Sequence, residues 1–71
     1  MIISAKNQLK GKVVKITDGA VNSEVVIELA PGVQITSIIT RASVADLKLT
    51  IGREAYAVIK ASNVMVGVAH E

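Results

Sequence analysis

The chain has 71 residues, enough for one small domain, and it lacks the usual stabilising devices of such domains. It contains no cysteine, which excludes disulfides and thiolate metal sites, and its single histidine, His70, has no partner for a zinc site. The net charge of +2 at pH 7 is a mild basic bias, and because four lysines precede the first acidic residue we expect an anionic partner.

Hydrophobic residues make up 51% of the chain, although it has no Phe or Trp and only one Tyr. This is more apolar surface than a monomer of this size can hide, so we expect a homo-oligomer with part of that surface between subunits. No apolar run approaches the roughly 18 residues that span a bilayer. The first residues also lack the apolar region of a signal peptide. We therefore expect a soluble cytoplasmic protein without membrane contacts.

Short runs of β-branched residues between turn residues predict strands along most of the chain. In chain order the predicted strands cover residues 2–4, 9–16, 24–29, 33–40, 55–61 and 64–68. Gly19 and the Pro31-Gly32 pair mark turns. Val44 and Leu47, three residues apart, predict one or two helical turns at residues 42–47, with Ser43 as the candidate N-cap.

This pattern predicts an all-β fold. Five or six short strands and one helical turn in about 70 residues are typical of a small OB-like barrel, which has five strands. The chain has no internal repeat, linker or low-complexity stretch. We therefore predict a single domain over residues 1–71.

Groups for catalysis are scarce in this sequence. Nucleophilic catalysis needs a nucleophile, a base and an orienting group, but there is no cysteine and the only histidine is next to the C-terminus. The acidic residues are scattered, and no glycine-rich phosphate loop is present. We predict that the protein is not an enzyme, has no organic cofactor and binds no bare metal cation.

Three places combine the positive charge, hydroxyl groups and free N–H groups that hold a bound oxyanion. Ser4 and Lys6 are two residues apart, so they share one face of an extended segment. Residues 60–62 close a predicted strand with the sequence Lys-Ala-Ser. Thr40 and Ser43 flank the start of the helical turn, whose N-terminus favours anions.

Each of these places also has an ordinary structural interpretation. Lysines at strand ends are usually solvated, and a serine in the position of Ser43 more often caps a helix than binds a ligand. Asn7 and Gln8 can simply satisfy backbone groups at a bend. From composition and spacing alone, these interpretations and oxyanion binding remain open.

Five runs of the sequence resemble the molbindin family, which comprises small cytoplasmic molybdate- and tungstate-binding proteins built from one Mop (TOBE-like) domain. These runs are SAKNQLKGKV, TSIIT, SVADL, GREAYAVIKAS and NVMVGV. The resemblance extends over residues 3–68. It implies an OB-like barrel with an N-terminal strand exchanged between partners, a hexamer built as a trimer of dimers, and molybdate or tungstate sites at subunit interfaces. The implied role is storage or homeostasis of the oxyanion.

The resemblance also implies a set of binding residues, divided between segments that would come from different chains. Matched position by position, they are Ser4, Ala5, Lys6, Asn7, Thr40, Ser43, Lys60, Ala61 and Ser62. The family usually has arginine where this chain has Lys6. Lysine keeps the charge but loses the planar fork of donors that grips an oxyanion at two points.

Two other functions fit a small basic barrel. One is nucleic-acid binding, but single-strand binding usually depends on aromatic side chains that stack on bases, and this chain offers only Tyr56. The other is a regulatory module, such as the same domain attached to transporter ATPases or molybdate-responsive regulators. We predict oxyanion binding without nucleic-acid binding.

Overall fold

A computed structural model describes residues 1–70 and contains one antiparallel sheet that curls into a half-barrel. The strands are β1 (Asn7–Asp18), β2 (Asn22–Ala30), β3 (Val33–Thr40) and β4 (Glu54–Ile59). One short helix, α1 (Arg41–Asp46), connects β3 to β4, and a single 3-10 turn (Ala61–Asn63) follows β4. The strand order is β3-β2-β1-β4, so β3 and β4 form the edges. Within residues 1–70 no helix is long and apolar enough to cross a membrane.

The central strand β1 changes partner along its length. Its first half, residues 7–12, pairs with β4, and residues 12–18 pair with β2. The register shifts between Val13 and Lys15, which marks a β-bulge and increases the local twist. This change of partner brings the start of β1 beside the end of β4.

Gly11 of β1 lies against the backbone of β2. A Cβ atom at this position would overlap the carbonyl oxygen of Glu28 and lie 2.8 Å from Cγ2 of Ile27. A side chain here would push the two strands apart, because one of the atoms in its way belongs to the backbone. Glycine is therefore required for the close approach of these strands.

The core of the half-barrel is small and aliphatic. Its buried members are Val13, Val25, Ile27 and Ala57, contributed by β1, β2 and β4. Partly buried side chains of β3, α1 and the loop before β4 pack around them, including Ile35, Ile39, Val44 and Leu49. The core therefore joins every strand of the sheet, and α1 covers part of it.

The helix is close to its predicted position but is capped differently. It spans Arg41–Asp46 rather than residues 42–47. Thr40, not Ser43, is the N-cap: its backbone is extended and its Oγ1 accepts a hydrogen bond from the N–H of Ser43 at 3.0 Å. The predicted cap was wrong because Ser43 lies inside the first turn, where its own N–H needs the capping oxygen.

The all-β prediction is confirmed by the four strands, whereas the fifth strand is not present within residues 1–70. Residues 2–4 and 64–68, both predicted as strands, pair with no other part of the described chain. An apolar alternating pattern is not enough for a strand, since a strand also needs a neighbouring backbone for its N–H and C=O groups. Similarly, β4 ends at Ile59 instead of residue 61, because the chain turns at Ala61–Asn63.

Candidate functional site

A hollow of about 390 Å³ lies between the N-terminal segment and the turn that follows β4. Its lining residues are Ile3, Ser4, Ala5, Lys6, Lys60, Ala61 and Ser62. The pairing of Asn7 with Ile59 in the β1–β4 ladder places these two distant segments side by side. Two of the three predicted donor clusters therefore meet. They meet within a single chain, contrary to the expectation that different chains would supply them, because β1 and β4 are neighbours in the sheet.

The hollow offers hydrogen-bond donors from the backbone as well as from side chains. The N–H groups of residues 4–6 donate to no acceptor among residues 1–70, and the same is true of Ala61 and Ser62. The latter two open a 3-10 turn, whose first N–H groups have no partner inside the turn. Lys6 and Lys60 add two positive charges, and both are exposed to solvent.

No carboxylate lines this hollow. Within residues 1–70, no three His, Asp or Glu side chains come together in a way that could hold a metal ion. The arrangement therefore suits an anion rather than a cation. The hollow is wider than one tetrahedral oxyanion and is open to solvent on one side, so residues 3–6 and 60–62 form only one wall of such a site.

Asn7 and Gln8 hold the two walls of the hollow in place. Asn7 Nδ2 donates to the carbonyl oxygen of Ile59 at 3.2 Å, and Gln8 Nε2 donates to that of Ala5 at 3.0 Å. The structural interpretation of these two residues is thus confirmed, because both side chains satisfy backbone carbonyls. Asn7 does not line the hollow, although it was predicted as a binding residue.

Thr40 and Ser43 are not part of this hollow. Thr40 pairs with Asn22, next to the far end of β1, whereas the hollow lies at the other end of that strand. At about 3.3 Å per residue, the ends of β1 are on the order of 35 Å apart along the strand. Thr40 Oγ1 also donates to Ser43 Oγ at 2.9 Å, so the two hydroxyl groups engage each other. A single chain does not bring the third predicted cluster to the other two.

Two of the three other lysines of β1, Lys10 and Lys12, lie beside acidic residues, so they do not extend the positive charge of the hollow into a continuous basic stripe. Lys10 Nζ lies 3.8 Å from Glu54 Oε2, and Lys12 is paired in the sheet with both Glu28 and Glu54. Exposed pairs of this kind contribute little stability, but they compensate charge. This leaves little support for a nucleic-acid surface along β1.

A second hollow, which the sequence does not reveal, occupies the concave mouth between the edge strands β3 and β4. It measures about 400 Å³, and most of its lining side chains are apolar, among them Ile27, Ile39, Leu49 and Val58. Met1 reaches its rim. The half-barrel is thus open along the seam where a closed barrel would have a further strand.

Comparison with known proteins agrees with this architecture. Residues 3–66 match the TOBE domain family. The chain is 54% identical over 68 residues to a probable molybdenum-pterin-binding protein of Haemophilus influenzae, covering 96% of this chain and 99% of the relative. It is 53% identical over 66 residues to molybdenum-pterin-binding protein 3 of Clostridium pasteurianum, covering 93% and 97%.

Solved structures show the same fold. MopII from Clostridium pasteurianum is 51% identical, with a TM-score of 0.87, and the match covers 94% of this chain and 100% of that one. A molybdate-binding protein from Sporomusa ovata is 35% identical, with a TM-score of 0.88, covering 96% and 100%. The half-barrel is therefore a TOBE domain. Within that group, the chain belongs to the molbindin family.

Proposed function

We propose that this protein binds molybdate and that the hollow between residues 3–6 and 60–62 forms one wall of the binding site. The observation that carries this proposal is the meeting of two lysines, two serines and unpaired N–H groups in one hollow without a carboxylate. The names of the similar proteins, molybdenum-pterin-binding and molybdate-binding, support the same ligand.

The charges and donors of the wall suit a tetrahedral dianion. Burying such an ion without compensation would be costly, and Lys6 and Lys60 supply the compensating charge. Ser4 and Ser62 add hydroxyl donors, and the N–H groups beside Ala61 add backbone donors; hydrogen bonds to a charged acceptor are the strong ones. Because lysine offers only a point charge, the free N–H groups make the close contacts, and Lys6 acts mainly through its charge.

Selectivity follows from size and protonation. Mo–O bonds are longer than S–O bonds, so a cavity shaped for molybdate fits sulfate loosely. Hydrogen phosphate carries a proton that needs an acceptor, and the wall has no carboxylate to supply one. Tungstate matches molybdate in size and charge, and it is bound by the same groups. The anion is bound and released unchanged, without an organic cofactor, for storage or homeostasis in the cytoplasm.

A second copy of the chain completes the site. The hollow is open on one side, and Thr40 and Ser43 remain distant from it within one chain. In a homo-oligomer, the helix start of a neighbouring subunit supplies these hydroxyl groups to the open side. A hexamer arranged as a trimer of dimers provides this contact at each dimer interface. Anion binding then stabilises the assembly by mass action.

The C-terminal segment, rather than the N-terminal one, is the better candidate for the exchanged strand. Ile3 and Ala5 are tied to their own chain through Gln8, and Met1 lies at the apolar mouth, whereas Met65, Val66 and Val68 are 91–93% exposed. Residues 64–68 of one copy fit the open seam of another, where they pair with an edge strand and cover its apolar mouth. This gives each half-barrel a fifth strand and makes residues 1–71 one OB-like Mop domain.

Native mass spectrometry with and without molybdate tests the binding and the assembly together. We expect a hexamer that carries a whole number of anions. Val66→Asp should shift the assembly toward smaller species, because a carboxylate cannot enter the apolar seam. Val14→Asp, at an exposed position of the central strand β1 away from the seam and the helix start, should leave the hexamer intact. A wild-type monomer without bound anion would overturn both proposals.

A further inference from the structure

Gln8 makes contacts that no binding role requires. Its side-chain amide donates to the carbonyl oxygen of Ala5 at 3.0 Å and to that of Ile3 at 3.5 Å. Both acceptors belong to the segment that lines the hollow, but Gln8 itself does not line it. The side chain therefore reaches back from β1 and holds the preceding loop against the sheet.

These contacts control which backbone groups the loop can turn toward a ligand. A carbonyl oxygen facing an oxyanion repels it, whereas an N–H group attracts it. With the carbonyls of Ile3 and Ala5 directed at Gln8, the loop keeps these two acceptors away from the hollow. The N–H groups of residues 4–6 stay without an acceptor in the described chain and are available to an anion. The opposite wall is tied separately, through Asn7 and Ile59.

We propose that Gln8 is a positioning residue that sets the width of the oxyanion site and thereby its preference for molybdate over smaller anions; this inference rests on the proposed function. A loop held at a fixed distance contacts molybdate on all sides but leaves gaps around sulfate. A loop released from Gln8 closes around either anion and exposes its carbonyls more often. Loss of the Gln8 contacts therefore weakens molybdate binding and spares sulfate binding.

The variant Gln8→Met separates this role from packing, since methionine has a similar length and no donor. Gln34 offers a matched control: it is an exposed strand glutamine whose Nε2 lies 3.4 Å from Glu28 Oε2, and it is not among the residues that line the hollow. Calorimetry with molybdate and with sulfate gives the ratio of the two affinities. Amide nitrogen relaxation of residues 4–6 in the ligand-free protein reports how well the loop is held.

We expect Gln8→Met to lower molybdate affinity about fivefold, the effect of one net hydrogen bond, and to lower the molybdate-to-sulfate ratio by a similar factor. The amides of residues 4–6 should become more mobile, while Gln34→Met changes neither quantity. A purely stabilising role would lower both affinities equally, so an unchanged ratio overturns the inference. If the wild-type protein binds no molybdate, the proposed function fails; rigid amides of residues 4–6 in Gln8→Met would then also refute the positioning role.

Discussion

The sheet and the two terminal segments differ in how far one chain satisfies their side chains and backbone. In the sheet, Val13 and Val25 are fully buried, and no buried side-chain nitrogen or oxygen within residues 1–70 lacks a hydrogen-bond partner. In residues 1–6 and 60–70, apolar side chains point into solvent and several N–H groups have no acceptor in the described chain. Apart from its open seam, the sheet is thus a framework that one chain completes. The terminal segments carry the groups that a ligand or a second copy must satisfy.

The largest expected effect comes from removing a charge at the hollow. Lys60→Ala should weaken molybdate binding about 100-fold, because the variant loses a charge-assisted hydrogen bond to a dianion. Thermal stability without ligand should hardly change, since Lys60 lies outside the framework. Lys15→Ala, which removes an exposed lysine of β1, is the control and should bind normally. Unchanged affinity of Lys60→Ala by calorimetry would remove this lysine from the site.

A substitution in the sheet should instead lower the thermal stability of the protein. Gly11→Ala places a Cβ against the backbone of Glu28, and overpacking of this kind costs about 2 kcal/mol. Lys15→Ala, an exposed change on the same strand, is the control. Circular dichroism melts at one protein concentration should show a lower midpoint for Gly11→Ala alone. Equal midpoints would mean that β1 and β2 separate easily.

The smallest effect is expected at Lys6. Lys6→Arg should keep molybdate affinity or tighten it by about threefold, because the guanidinium can contact two oxygens at once. Competition calorimetry against the wild-type protein can measure a change of this size. Lys6→Met is the companion variant, and it should bind more weakly. A clear loss in Lys6→Arg would show that the wall is shaped around the smaller ammonium group.

The sequence predicted which segments form the sheet better than it predicted where each strand begins and ends. β2 and β3 were found because β-branched residues cluster there, but β1 is longer than residues 9–16 at both ends. Its four extra residues, 7–8 and 17–18, are all polar, and they extend the strand through partners that a hydrophobic pattern does not reveal. Asp18, for example, accepts a hydrogen bond from the buried hydroxyl of Ser23.

The candidate site could be predicted only in part. Residue types identified three donor clusters, and the resemblance to molbindins joined them into one site. The meeting of residues 3–6 with residues 60–62 depends on strand pairing across a separation of 52 residues, which no local pattern encodes. The three-residue spacing of Thr40 and Ser43 fits a helix cap as well as a pair of ligand-binding hydroxyl groups. Within one chain these two residues form the cap of α1.

The meeting of the two terminal segments at one hollow also bears on how genes for such domains can be rearranged. Because residues 3–6 lie beside residues 60–62, residues 64–70 of one copy can lead directly into a second copy encoded head to tail. The same proximity should allow circular permutation, in which a linker joins the original ends and new ends are opened at the Pro31–Gly32 hairpin tip.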